Sequence, residues 1–371
     1  MNWKIKYSIL GVAFWLLLFL GWEWWRSYPK IRITPISNPE TREERVDSLL
    51  VQSLSEFLIP GLAVGIIEDE KVTYLKAFGF ENLMTKDSMS LQSTIPVASV
   101  SKLFTAICLA NFALENGISI DTSFNSLLPK DNKLPVEFND ISLRDLLDHT
   151  SGISDSRRLR DILTSEENRV LSNIPGNLKS PDLENIGFHY ADANFDLVGY
   201  LLEICTNTPF ENLILEKTLT VAGMENSYFS TSRPSETASV SGYKQTFLWK
   251  RIEPTKLKLE RYPSPSSGLV TSPTDLSKAL LHLSRGNMGT FGEELDWLQK
   301  ESDSPAGFQK IILNNTNYIG HFGEQGGFSS LVLYSPELEI AFFLVTNARD
   351  KHDFREQIAE RILKILNPTK Q

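Results

Sequence analysis

The chain has 371 residues, 41% hydrophobic and 22% charged, enough to bury a substantial core as one large domain or two closely joined ones. A net charge of -9 and the lack of a long basic run argue against nucleic acid as a partner. The two cysteines, Cys108 and Cys205, form neither a disulfide framework nor a C-x-x-C pair; both fall in apolar helical patterns and read as free thiols, with a single bridge as the alternative.

Ile9 to Gly21 is uninterrupted apolar sequence, and Trp22-Glu23-Trp24-Trp25 extends it to about the length that spans a bilayer. Lys4 and Lys6 precede it, no A-x-A cleavage site follows, and the Trp cluster suits an interfacial belt. An uncleaved anchor over residues 1–25 is therefore expected in preference to a cleaved signal peptide. Residues 26–40, with three prolines, read as a linker to a domain over 41–371. The short N-terminal flank implies a single-pass membrane protein whose domain is periplasmic or extracellular, although Arg26, Lys30 and Arg32 just beyond the span weaken the charge argument.

Within the domain, Val46, Leu49, Leu50, Leu54, Phe57 and Leu58 recur at helical spacing and stop at Pro60-Gly61. Leu62 to Ile67 and Val72 to Phe78 read as a hairpin around the charged turn Glu68-Asp69-Glu70-Lys71. A nearly all-apolar helix follows up to Asn116-Gly117, then a short helix from Leu143 to His149 closed by a left-handed Gly152, and an amphipathic one from Asn194 to Cys205. Residues 255–267 read as a loop and Pro273 to Leu283 as a helix. Tyr318 to His321, Ser329 to Tyr334 and Glu339 to Thr346 are candidate strands, and a helix from Phe354 to Leu366 closes the chain. Strands at both ends with helices between imply an α+β fold, an α/β/α sandwich. One antiparallel sheet is made from the N- and C-terminal parts and flanked by helices, with a helical insertion, beside the N-terminal transmembrane helix.

Chemistry enters at Ser99-Val100-Ser101-Lys102, where the apolar helix begins. An N-cap serine prefers Glu or Gln three residues on, because the helix N-terminus carries partial positive charge. Lys102 in that place costs about 0.3 to 1 kcal/mol at an exposed end, and more if buried. A serine and a lysine one turn apart can instead form an activated hydroxyl, with helix N–H groups beside it for an oxyanion. The spacing alone is weak, since S-x-x-K arises by chance about once or twice in such a chain. Ser27-Tyr28-Pro29-Lys30 and Ser241-Gly242-Tyr243-Lys244 repeat it without a long apolar helix behind them, and read as coincidence. Tyr190-Ala191-Asp192, just before the amphipathic helix, could bring a proton acceptor to Ser99, and Gly320-His321-Phe322-Gly323 ends a predicted strand at which substrate could approach the backbone. Alone, Tyr190 would be a packing residue, His321 a satisfied structural histidine, and His149 part of a helix end.

Six blocks carry a resemblance: Pro60 to Val64, Ala98 to Ala106, Leu146 to Gly152, Tyr190 to Gly199, Gly268 to Val270, and His321 to Ser330. In this order they resemble the serine β-lactamase and penicillin-binding-protein superfamily, in the branch of class C β-lactamases, D-alanyl-D-alanine carboxypeptidases and β-lactamase-like esterases. The resemblance implies Ser99 as nucleophile, Lys102 assisting its deprotonation, and Tyr190 as general base and proton donor to the leaving group, with Tyr190 and Lys102 both open as the true base. It implies an oxyanion hole from the N–H groups of Ser99 and Glu324, substrate contacts from Asp192, His321 and Gly323, and neither metal nor cofactor. Two positions depart from the family pattern. Asp192 stands where many relatives carry Asn, and His321 where many carry Lys. Both changes weaken recognition of a β-lactam or peptide carboxylate. The expected substrate is a small ester, amide or peptide, with esterase or peptidase ranked above efficient β-lactamase and a non-turnover sensor of cell-wall fragments or β-lactams as the alternative. No G-x-S-x-G and no H-E-x-x-H occurs, which sets aside an α/β-hydrolase and a zinc hydrolase.

Overall fold

The computed structural model describes residues 3–155, 171–184, 187–229, 239–255, 264–286, 289–335 and 337–366. The first helix, α1, runs Trp3–Arg26 as one unbroken rod and is long and apolar enough to cross a membrane. The next, α2 (Arg42–Glu56), starts at a capping box. Thr41 accepts the Glu44 N–H, while the Glu44 carboxylate accepts the Thr41 N–H.

The expected hairpin is β1 (Gly61–Glu68) and β2 (Lys71–Asn82). Its turn residues Asp69 and Glu70 take φ of 49° and 57°, the left-handed pair that matches the twist of a two-residue hairpin loop. Short strands β3 (Asp87–Ser88) and β4 (Ile95–Pro96) follow, then a 3₁₀ turn over Ala98–Val100 leading into α3 (Ser101–Glu115). The helical insertion includes the turn Leu143–Leu147 and α4 (Asp192–Thr206). Four short strands, β5 (Tyr228–Phe229), β6 (Tyr243–Gln245), β7 (Ile252–Pro254) and β8 (Leu269–Thr271), precede α5 (Pro273–Ser284) and α6 (Gly292–Gln299). The chain closes with β9 (Gln309–Leu313), β10 (Thr316–Gln325), β11 (Phe328–Ser335), β12 (Ile340–Thr346) and α7 (Phe354–Leu366). Most of the expected 255–267 loop lies outside the described residues.

One antiparallel sheet orders its strands β3-β2-β1-β12-β11-β10-β9, so Leu62 of β1 stands opposite Thr346 of β12 and the ends of the chain meet at the centre. Side chains alternate across it. Leu62, Val64, Ile66, Leu331, Leu333, Phe342 and Leu344 face α2 and α7 in one core, while Ala63, Val332, Phe343 and Val345 face the larger helical layer in the other. With both faces covered, the central strands are apolar at nearly every position rather than alternating. The expected α+β sandwich is the architecture observed. The sequence reading lacked β9, a five-residue edge strand with exposed Ile312 and Lys310, along with α6 and the two small sheets β4-β8-β5 and β6-β7. Strands of two or three residues leave no period to read. The cysteines are free, Cys108 buried and Cys205 half-buried.

Candidate active site

A strained turn presents Ser99. Ala98 holds φ at 48°, in the left-handed region that a residue with a Cβ rarely takes, and the chain then tightens into the 3₁₀ turn containing Ser99. Surrounding bonds fix this conformation. Ser101 Oγ donates to the Ala98 carbonyl (2.6 Å) and accepts the Leu269 N–H (2.9 Å), and Ser330 Oγ donates to the Val97 carbonyl (2.7 Å). Ser99 stays half-buried while Ala98, Val100 and Ser101 on either side are buried.

Lys102, one turn along, is fully buried, and its ammonium has three acceptors. It donates to Ser99 Oγ (3.2 Å), to Asp192 Oδ1 (2.7 Å) and to the Ser266 carbonyl (3.0 Å). Burial works against its charge, but the nearby Asp192 carboxylate and Tyr190 hydroxyl outweigh it, so its pKa is raised and the amine stays protonated. This is the cation that fits badly as a helix cap. The carboxylate at 192, rather than an amide, holds it charged.

Tyr190 reaches the serine from the loop before α4, its hydroxyl 2.9 Å from Ser99 Oγ, with 37% of the residue exposed. Its ring rests on His149, centroids 4.4 Å apart, with His321 at 6.2 Å and the Lys102 ammonium 4.9 Å from its centre. The loop is tied down beneath the ring. His149 Nδ1 accepts the Ala191 N–H (3.3 Å) and lies 3.1 Å from Asn194 Nδ2, while the His149 carbonyl accepts the His189 N–H (2.8 Å). Asp155 replaces a helix cap, its carboxylate accepting the N–H groups of Asp192 and Ala193. His149 itself adopts φ 57°, so the helix end expected to turn at Gly152 alone (φ 71°) turns at both residues. Burial, reinforced by the charge of Lys102, pushes His149 down to about 4 and His321 to about 3, leaving both rings neutral at pH 7.

Across from Ser99 runs β10. Gly323 passes so close to the 3₁₀ turn that a Cβ there would lie 2.2 Å from the Val97 carbonyl oxygen and 3.2 Å from the Ser99 nitrogen, and only glycine fits. Beyond Gly320, β10 is paired on one side alone; on the other, its Phe322 N–H reaches only the Gln309 side chain (3.4 Å). Backbone N–H groups alternate along a strand, so the Glu324 N–H faces this same open edge. Arg355 braces the strand, donating to the carbonyls of Gly323 (2.6 Å) and Ser330 (3.1 Å). His321 is buried, with Nδ1 2.5 Å from the Phe322 carbonyl oxygen, and lines the floor of a neighbouring cavity of about 660 Å³ together with His149, Phe188 and Phe308.

Six of the residues read from the sequence thus surround one point: Ser99, Lys102, Tyr190 and Asp192 in a hydrogen-bonded chain, with Gly323 and Glu324 on the facing strand. His321 stands behind Tyr190. The sequence reading did not single out Ser266, Asp155 and Arg355, which hold these groups through main-chain contacts, or Asn194, whose side chain meets the His149 ring; no residue pattern marks any of them. Among the described residues no cluster of His, Cys, Asp and Glu could hold a metal ion.

The pattern is shared with known proteins. The Beta-lactamase family profile matches residues 46–367. A protein named "Beta-lactamase" from Psychrobacter immobilis is 24% identical over 355 residues, covering 86% of this chain and 87% of its own length. "Protein flp" from Staphylococcus aureus strain MW2 is 22% identical over 331 residues, covering 84% of this chain but 64% of its own length, so the chain corresponds to about two thirds of that relative. The octameric penicillin-binding protein homologue from Pyrococcus abyssi superposes with a TM-score of 0.70 at 22% identity, covering 87% of this chain and 77% of that one, a likeness of fold. With its sheet, its helical layer and the profile match over most of its length in agreement, the chain belongs to the Beta-lactamase family.

Proposed function

We propose that this protein is a membrane-tethered hydrolase that forms an acyl-enzyme on Ser99 and cleaves a small ester, amide or peptide. The observation that carries the proposal is the meeting of Lys102 Nζ and Tyr190 Oη on one hydroxyl, at 3.2 and 2.9 Å. As Ser99 Oγ attacks a carbonyl carbon, Tyr190 acts as a relay: its phenol proton moves to the departing oxygen or nitrogen as the Ser99 proton replaces it on Oη, so the phenol is neutral before and after. The protonated Lys102 stabilises the negative charge that builds during attack, which supports Tyr190 over Lys102 as the group that moves the proton. The N–H groups of Ser99 and Glu324 take the carbonyl oxygen of the tetrahedral intermediate, and water then releases the acyl group.

Ester or peptide turnover ranks above β-lactam turnover because the buried neutral ring of His321 offers no positive charge for a substrate carboxylate. In this reading α1 is an uncleaved single-pass anchor, residues 26–40 link it to the domain, and the domain lies on the periplasmic or extracellular side.

Intact-mass analysis after incubation with p-nitrophenyl esters, D-Ala-D-Ala peptides and nitrocefin tests the proposal. A transient adduct on the peptide containing Ser99 and ester turnover faster than nitrocefin turnover are expected. Nitrocefin turnover as fast as the ester overturns the ranking, a stable adduct with no turnover supports a sensor, and unlabelled Ser99 with every reagent removes the proposal.

A further inference from the structure

The C-terminal end of α1 is built into the domain by a hairpin that no part of the catalytic chemistry uses. The β6 and β7 strands, with the segment Thr246 to Arg251 between them, lie against α1 where its apolar span ends. The Phe247 N–H donates to Glu23 Oε1 (2.6 Å), and the Trp249 indole N–H donates to the Leu20 carbonyl (3.1 Å). Trp249 meets Trp24 edge to face, centroids 5.3 Å apart. The Arg251 guanidinium stacks on Trp24 at 4.2 Å and donates to Ser27 Oγ (2.9 Å) and its carbonyl (2.7 Å). Tyr28 and Ile252 exchange main-chain bonds of 2.6 and 2.9 Å, and Arg26 pairs with Glu253 at 3.1 Å. These contacts account for Glu23, the one acid in α1. It is buried, and it holds the hairpin.

The tip of that hairpin points apolar surface outward. Phe247 is 85% exposed, Leu248 53% and Trp249 40%, and they stand beside the likewise exposed Trp22, Trp24 and Trp25 of α1. Phe, Leu and Trp together on a protruding turn are costly in water and suit the headgroup layer, where amphipathic aromatics gather. Lys250 follows directly at the tip, exposed, with φ 48°. The register is set by α1, because Trp249 bonds to a carbonyl of the helix within the Trp belt that marks the interface.

Resting on the reading of α1 as an anchor, we propose that Phe247-Leu248-Trp249 is a second membrane contact, a lipid-inserting turn that enters the outer interfacial layer beside α1. The two contacts together fix the tilt of the domain. The base of the hairpin continues this constraint to the active-site sheet. The Tyr243 N–H bonds the carbonyls of Gly327 (3.2 Å) and Asn347 (3.0 Å), and Gly327 lies three residues from Glu324 at the open edge of β10.

The test uses the full-length chain with Cys205→Ser, carrying a single environment-sensitive NBD label at Leu248→Cys, Leu16→Cys or Val136→Cys, in vesicles of phosphatidylcholine and phosphatidylglycerol. Expected is blue-shifted NBD emission at 248, quenched by a shallow spin-labelled lipid and protected from aqueous iodide, with the label at 16 quenched by lipid and that at 136 open to iodide. If 16 is quenched by lipid but 248 behaves like 136, the second contact is wrong and the anchor stands. If 248 is protected from iodide without lipid quenching, a protein surface covers it and the proposal also fails. If 16 itself is open to iodide, the anchor fails and the proposal with it.

Discussion

Two stretches of this chain, Trp3–Arg26 and Ala98–Glu115, are each long and apolar enough to cross a membrane, yet the fold treats them oppositely. The apolar window of the first is 0% buried within the protein, while that of the second is 72% buried. The difference lies in their polar residues. In the second, Ser101, Lys102, Thr105 and Asn111 each have a hydrogen-bond partner from a distant segment, the Thr105 hydroxyl reaching the Pro265 carbonyl at 2.7 Å and the Asn111 amide reaching Glu294 at 3.2 Å. In the first, polar contact to the rest of the fold is confined to its C-terminal end, where the hairpin meets it. An apolar helix is thus assigned by where its few polar groups find partners, since unpaired polar groups are costly in hydrocarbon and in a core alike.

The comparison is broken most severely at the polar end of the buried helix. Ser99→Ala removes one half-buried hydroxyl and is expected to lower ester turnover by about 10³-fold or more while the melting temperature hardly moves. An unimpaired Ser99→Ala protein would refute the assignment. Next comes packing. Phe104→Ala, in the core of α3, is expected to cost about 3–5 kcal/mol in denaturant unfolding. The matching Phe14→Ala on the exposed face of α1 is expected to change domain stability by less than about 0.5 kcal/mol. Equal effects at the two sites would abolish the distinction.

Acid sharpens it further. His149 and His321 ordinarily titrate near 6.5, but in the folded protein only near 4 and 3. The unfolded chain therefore takes up their protons first, so the stability they contribute is whole above about pH 6.5 and is lost as pH falls towards 4 and then 3. Melting temperatures measured across this window should drop, and His149→Asn should flatten the drop. Asp192→Asn is read through pH instead. Without the carboxylate the buried ammonium of Lys102 loses its main electrostatic support, and the alkaline limb of the kcat/KM profile moves to lower pH.

The outline of the sheet, the two long apolar helices and the pairing of Ser99 with Lys102 were legible because each leaves a local mark, a period or a cap that fits badly, while Tyr190 stood out only through the family resemblance. The support beneath Tyr190 was not legible. His149 reads as a helix end, which it is, and its second task of carrying the tyrosine ring appears only when residues 149 and 190 come together. Arg355 lies on the polar face of a closing helix and looks like any solvated charge until it is seen to hold two carbonyls of β10 and β11. Strand β9 and the small sheets were hidden by their length, and the β6–β7 hairpin against the end of α1 was hidden because its S-x-x-K spacing belongs to a different arrangement. There Ser27 bonds Arg251, and Lys244 pairs with Glu253 at 3.0 Å.

The pairing of β1 with β12 has a consequence for biosynthesis. A ribosome delivers Ser99 long before it delivers Glu324, and the strand that carries Glu324 joins the N-terminal hairpin only through β11 and β12, which follow it in the chain. A nascent polypeptide therefore holds Ser99 without its facing edge until β10, β11 and β12 have all been made and paired with the N-terminal hairpin.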